Sequence, residues 1–239
     1  MKLNDQNILV IGGSSGIGHQ LISELADESA NVFTASRSEA KDWPAGVNYM
    51  SLDVLNPTAE WTSSLPDQLH GLVYAVGSIT LKPFTRVSEM DMLTDFRLNV
   101  VGAAIVIQQT LKQLKAANGA SIVLISSVAA KTGMSYHTSV AAAKAGLEGF
   151  AISLAAELAN QKIRVNVIAP SLTNTPLAAN LLNTDEKKEA SAKRHPMGRF
   201  GEVEDISSAI RFLLSSESSW VTGQVLGVDG GMGNLKTTF

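Results

Sequence analysis

The sequence predicts a single α/β domain, a doubly wound sheet of seven parallel strands with helices on both faces. Three observations carry this. Short apolar runs alternate with stretches of helical period along the whole chain. The first run breaks at a glycine-rich turn that passes at once into a helical pattern. No linker, repeat or low-complexity segment interrupts the alternation, so residues 1–239 read as one domain with a substantial core. The apolar runs are Ile8–Ile11, Val32–Ala35, Val47–Leu52, Leu72–Val76, Ser121–Ile125, Ile163–Ile168 and Gln224–Val228. Continuous rather than alternating apolar character suits strands buried on both faces, as parallel strands are. Right-handed crossovers gather the C-terminal ends of such strands along one edge, where a ligand is expected.

Composition narrows the function classes. Charged residues are 17% and the net charge is −3, so no basic surface points to nucleic acid. The chain has no cysteine, which excludes disulfides and thiolate metal sites. Its four histidines, His19, His70, His137 and His195, lack ligand spacing, so no metal site is expected. The N-terminus lacks the long apolar core of a signal peptide, and no uncharged stretch is long enough to span a membrane. These features favour a soluble, cytoplasmic protein.

The elements follow in order. Ile8–Ile11 is the first strand, and Gly12-Gly13-Ser14-Ser15-Gly16-Ile17-Gly18 turns it into a helix over about Gly16–Ser29. Glycines let the backbone approach a diphosphate, while the new helix offers unpaired N–H groups and its positive end. Gly12, Ser14, Ser15, Gly16, Ile17 and Gly18 are the expected cradle, with the spacing G-x-x-x-G-x-G. The second strand ends at Ser36-Arg37 with no acidic residue. A carboxylate there would hold a free ribose, whereas a hydroxyl and a guanidinium suit a 2′-phosphate, so NADP(H) is favoured over NAD(H). The third strand ends at Asp53-Val54, where the carboxylate either meets adenine or caps a helix beginning near Pro57. The fourth ends at Tyr74-Ala75-Val76-Gly77, and Ala75 and Gly77 leave room for a ribose.

Ser88-x-x-Asp91 opens a long helix to about Ala116. Asn99 interrupts its apolar interior and calls for a partner, structural or catalytic. The helix over about Thr138–Asn160 is rich in Ala and Gly, and the small faces of these two helices suit a subunit interface. After the sixth strand, residues 176–199 form an excursion whose first part reads as an amphipathic helix, before a last helix over about Val203–Ser215.

Several of these residues recur together in a known family. Gly12-x-x-x-Gly16-x-Gly18, Asp53, Asn99, Ser126-Ser127, Lys144, Arg164-Val165-Asn166-x-x-Ala169-Pro170, Thr175 and Asp229-Gly230-Gly231 fall in the order and places they hold there. The chain resembles the classical short-chain dehydrogenase/reductase family, of the type that includes β-ketoacyl carrier-protein reductases, over essentially its whole length. The resemblance implies a Rossmann-type fold, a nicotinamide cofactor and a carbonyl or alcohol substrate. It implies Ser127, Lys144 and Asn99 as catalytic, with Pro170, Thr173 and Thr175 near the cofactor's carboxamide and pyrophosphate, and the 176–199 excursion as a lid. The pattern departs in one decisive place. The family's Tyr-x-x-x-Lys reads Val140-x-x-x-Lys144, with Val140 thirteen residues after Ser127 as the tyrosine should be. Its Asn-Asn-Ala-Gly reads Tyr74-Ala75-Val76-Gly77, and its Pro-Gly reads Pro170-Ser171.

An aliphatic side chain donates no proton. His137 precedes Val140 by three residues and Lys144 by seven, so it shares their face if the helix begins early enough, and an imidazole titrates near neutral pH. It is the first candidate for a surrogate acid, with Tyr136 a second, while a lone histidine near a helix start otherwise reads as a capping or surface residue. The sequence therefore favours an NADP(H)-dependent oxidoreductase with an altered proton donor, a small-molecule carbonyl or alcohol substrate, no nucleic-acid or membrane partner, and a homodimer or homotetramer through the 88–116 and 138–160 helices. A catalytically silent NADP(H)-binding sensor or regulatory subunit is the alternative, and a purely structural oligomer a weaker third.

Overall fold

The computed structural model describes residues 3–236. All seven expected strands form one parallel sheet in the order β3-β2-β1-β4-β5-β6-β7. They are β1 (Asn7–Ile11), β2 (Asn31–Ser36), β3 (Asn48–Ser51), β4 (Gly71–Tyr74), β5 (Ala120–Ile125), β6 (Ile163–Pro170) and β7 (Val225–Val228). Alternate residues of each strand feed two cores. Ile8 and Val10 pack on one face with α1 (Gly16–Asp27) and α6 (Val203–Leu214). Leu9 and Ile11 pack on the other, with α3 (Gly102–Ala116) and α4 (Thr138–Leu158). The doubly wound prediction is therefore met, with strand order reversing between β1 and β4, where such folds open a ligand crevice. On the outer layer Arg211 of α6 pairs with Glu24 of α1 and with Glu28, the residue that ends that helix, tying the helices that flank β1.

Three helix predictions need correction. The long helix from Ser88 is α2 (Glu89–Phe96) joined to α3 by a π-turn, Arg97–Val101. Its capping box is present: Asp91 N donates to Ser88 Oγ and Ser88 N to the Asp91 carboxylate. The wide turn has one local and one tertiary cause. Asn99 Nδ2 donates to Asp95 O at 2.8 Å, taking the carbonyl that its own N–H would use in an unbroken α-helix. The Tyr74 hydroxyl donates to Leu98 O at 2.6 Å. Gly102 follows because a Cβ there would lie 2.6 Å from that hydroxyl.

Asp53 caps no helix. Its Oδ1 accepts from Leu55 N at 3.0 Å, closing a local turn, and the short helix beyond begins only at Ala59 with Thr58 as its cap residue. The excursion after β6 is a 3-10 turn, Pro176–Leu181, and then α5 (Asp185–Lys193). Thr184 breaks them apart by capping Lys187 N, and α5 is solvated on nearly all sides rather than amphipathic. Among the described residues one helix, residues 138–161, is long and apolar enough by composition to cross a membrane. It is the core helix of this fold, and it buries Lys144 and Glu148 against the sheet.

Candidate active site

The strand ends converge on two adjoining cavities. The smaller, about 370 Å³, lies over the ends of β1, β2 and β3 and includes Gly12, Ser15, Arg37, Asp53 and Val54. The larger, about 730 Å³, lies over β4, β5 and β6 and includes Ser127, Val140, Lys144, Pro170 and Thr173. Ile17, Ala75, Gly77 and Thr175 wall both, so the two form one trough. The larger wall carries Lys144, Lys187 and Arg194 and no Asp or Glu, although the whole chain is net acidic. Such a field favours an anionic guest.

The glycine turn is built for close approach. Gly12 has φ +88°, and a Cβ on Gly18 would lie 2.4 Å from Gly12 O. Ser15, the residue capping α1, makes no side-chain capping bond, so the first-turn N–H groups stay available to an anion. Gly13 O accepts from the Trp43 indole at 3.0 Å, which pins the turn from outside. A diphosphate fits this cradle, with Gly12, Ser14, Ser15, Gly16 and Ile17 on the trough wall and Gly18 buried behind them. At the end of β2 the Ser36 hydroxyl proton is committed to Ser38 O at 2.8 Å, so Ser36 has no donor left for a phosphate. Arg37 is exposed beside it, and Ser38 joins it on the cavity wall.

Ser127, Lys144 and His137 line the larger cavity, and Asn99 is buried behind it. Ser127 Oγ accepts from Ala129 N at 3.2 Å, which leaves its O–H for the cavity. Lys144 is buried and donates to Ile125 O at 2.6 Å. Burial lowers its pKa from 10.5 to about 8, against the opposing pull of the Asp95 carboxylate. Asn99 Oδ1 is buried without a partner among the described residues, close to Gly77 and Lys144. An orphaned acceptor there needs a water or ligand donor. Val140 is buried on the cavity wall and offers it only an aliphatic side chain.

His137 also lines the cavity, but α4 begins at Thr138, so it sits at the cap position and not on the helical face with Val140 and Lys144. Its Nδ1 lies 2.7 Å from Ser135 O. Tyr136 is exposed, with φ +69°, and does not reach the cavity wall.

Two clusters escaped the sequence. Asp95 is buried one helical turn before Asn99 and accepts from Ser78 at 2.6 Å, Thr80 at 3.0 Å and Ser139 at 2.5 Å. It ties the segment after β4 to the start of α4, and only its spacing from Asn99 signalled it. The second is Ser171 with His195, which is buried: His195 Nε2 lies 2.9 Å from Ser171 Oγ and Nδ1 lies 2.7 Å from Ser191 O. They are 24 residues apart, and only the excursion's return brings them together.

The family model described as enoyl-(acyl carrier protein) reductase matches residues 12–233. The chain belongs to the short-chain dehydrogenase/reductase family. It is 34% identical to a tropinone reductase homologue of Arabidopsis thaliana, over 97% of this chain and 94% of that one. It is 33% identical to a 3-oxoacyl-acyl-carrier-protein reductase of Thermotoga maritima, over 97% and 99%. A short-chain type dehydrogenase/reductase from Mycobacterium ulcerans superposes with TM-score 0.90 at 31% identity, covering 98% of this chain and 91% of that one. Short-chain dehydrogenase/reductases bind nicotinamide cofactors, and this chain is an oxidoreductase of that family.

Proposed function

We propose that this short-chain dehydrogenase/reductase uses NADP(H) and interconverts a carbonyl and an alcohol, its proton donor being something other than a phenol. The observation that carries the reading is the gathering of Ser127 and Lys144 on the wall of the larger cavity, with the Asn99 Oδ1, unpartnered among the described residues, close to Gly77 behind it. A bound nicotinamide would supply or accept the hydride. Ser127 would hold the carbonyl oxygen by its free O–H, and Lys144 would hold the ribose. The adenosine half would lie over Asp53 and Val54, with Ala75 and Gly77 beside the ribose and Pro170, Thr173 and Thr175 towards the carboxamide and pyrophosphate. Arg37, exposed and without a carboxylate beside it at the end of β2, supports the 2′-phosphate and hence NADP(H) over NAD(H).

His137 is the sequence's nominee for the proton donor. Val140 supports the second reading, a silent NADP(H)-binding sensor or regulatory subunit, because losing a general acid typically costs about 10²–10⁴-fold in rate. The remaining parts of the proposal are a cytoplasmic setting, no nucleic-acid, membrane or metal partner, 176–199 acting as a lid, and a homodimer or homotetramer through the 88–116 and 138–160 helices. Calorimetric titration with NADPH and NADH, followed by a ketone and aldehyde panel read at the nicotinamide absorbance, tests it. NADPH is expected to bind more tightly than NADH, and Arg37→Ala to remove the difference. Binding without turnover favours the sensor, and binding of neither nucleotide overturns both readings.

A further inference from the structure

We propose that Ser171 and His195 form the proton relay of this active site, in place of the phenol that Val140 lacks. The proposal rests on the oxidoreductase reading above. Both residues line the larger cavity with Val140, Ser127 and Lys144. The position of Ser171 is where the family pattern has a side-chain-free glycine, so the chain that lost one hydroxyl at this cavity carries another.

The local chemistry fixes the direction of each bond. A carbonyl oxygen only accepts, so the contact of His195 Nδ1 with Ser191 O at 2.7 Å places a hydrogen on Nδ1. Nε2, 2.9 Å from Ser171 Oγ, therefore accepts from the serine hydroxyl when the ring is neutral and donates to it when the ring is charged. Both contacts survive in either state, so a proton passes without a side chain moving. His195 is 2% exposed, and its Nε2 faces the Ser171 hydroxyl at the cavity wall.

The charged groups around it are engaged elsewhere. The Arg194 guanidinium donates to Ser191 Oγ at 3.0 Å, and the Lys187 ammonium to Asn180 O and Asn183 Oδ1 at 2.8 Å each. The Asp229 carboxylate, next to the Gly230 that packs on the ring, accepts from Gly231 N and Gly233 N at 2.9 Å each. His137, by contrast, has no hydroxyl bonded to its Nε2 among the described residues.

In reduction, hydride and its electron pair arrive at the carbonyl carbon, and the C=O π pair moves onto oxygen. The Ser171 O–H bond breaks and its proton forms the alcohol O–H. The His195 Nε2–H bond breaks and its proton restores the serine hydroxyl. The neutral imidazole regains a proton from water, and oxidation runs the same steps backwards.

The test uses the full chain. Nitrogen-resolved NMR of the nucleotide-free protein is expected to show neutral His195 protonated at Nδ1, with an Nε2 signal that moves on Ser171→Ala; a neutral ring protonated at Nε2 overturns the relay. Single-turnover reduction of β-keto esters, aldehydes and cyclic ketones by NADPH-loaded protein supplies the kinetic arm. Ser171→Ala and His195→Gln are each expected to slow turnover by about 10²-fold at unchanged KM and to flatten the pH profile. Added imidazole is expected to restore His195→Ala, and the Ser171→Ala loss is expected to shrink in a Val140→Tyr background. Wild-type rate and pH profile in Ser171→Ala overturn the relay, and so does a loss seen only in His137→Ala. Calorimetric NADPH binding with no single turnover on any probe overturns the relay but not the cofactor site, whereas absent NADPH binding overturns the oxidoreductase reading itself.

Discussion

Lys144 carries its charge where the surroundings resist it. Desolvation lowers its pKa from 10.5 to about 8, with Asp95 only partly opposing. Between those two values the unfolded chain holds the proton that the folded chain has released. Stability therefore rises with pH across that window, and the cost of the buried cation is fully present below it. Lys144→Met keeps the shape and removes the charge. It is expected to raise the urea midpoint at neutral pH by the equivalent of about 1 kcal/mol and to abolish the rise between pH 8 and 10, while weakening NADPH binding. A midpoint that falls at neutral pH would show that the ammonium's bond to Ile125 O outweighs its desolvation.

At the scale of the element, the glycine turn and the π-turn mark the limits of sequence reading. Each strand was legible because a parallel strand needs apolar residues on both faces, and β1, β4 and β5 have them. The cradle was legible because Gly12, Gly16 and Gly18 stand between such a run and a helix. Gly18→Ala is expected to weaken NADPH binding by at least about tenfold and to lower thermal stability, because its Cβ would lie 2.4 Å from Gly12 O; unchanged affinity in calorimetry would mean that α1 can shift freely. The π-turn was not legible, because one of its causes is tertiary: the Tyr74 hydroxyl that takes Leu98 O comes from another element. Ser127 and Lys144 were read from spacing, but Ser171 with His195 needed the fold, since neither residue is near the other in the chain.

Across the whole molecule, the outer apolar residues have a pattern. Met90, Leu93 and Phe96 of α2, Val101 of the π-turn and Ile152 of α4 are exposed, and α2 packs beside α4. This is the face proposed for self-association, and Gly149 leaves open space on it. Phe96→Glu with Ile152→Glu is expected to yield monomers in sedimentation velocity; an unchanged mass would move the interface elsewhere. The three tryptophans are also unequally placed. Trp61 is 6% exposed and donates to Gln109, Trp220 is 99% exposed, and Trp43 donates to the carbonyl of Gly13 inside the nucleotide cradle. Light emitted by Trp43 consequently carries information about that loop that the other two indoles do not. Occupancy of the cradle should tint or quench one colour component of the molecule's ultraviolet glow, giving it an optical gauge that needs no added dye.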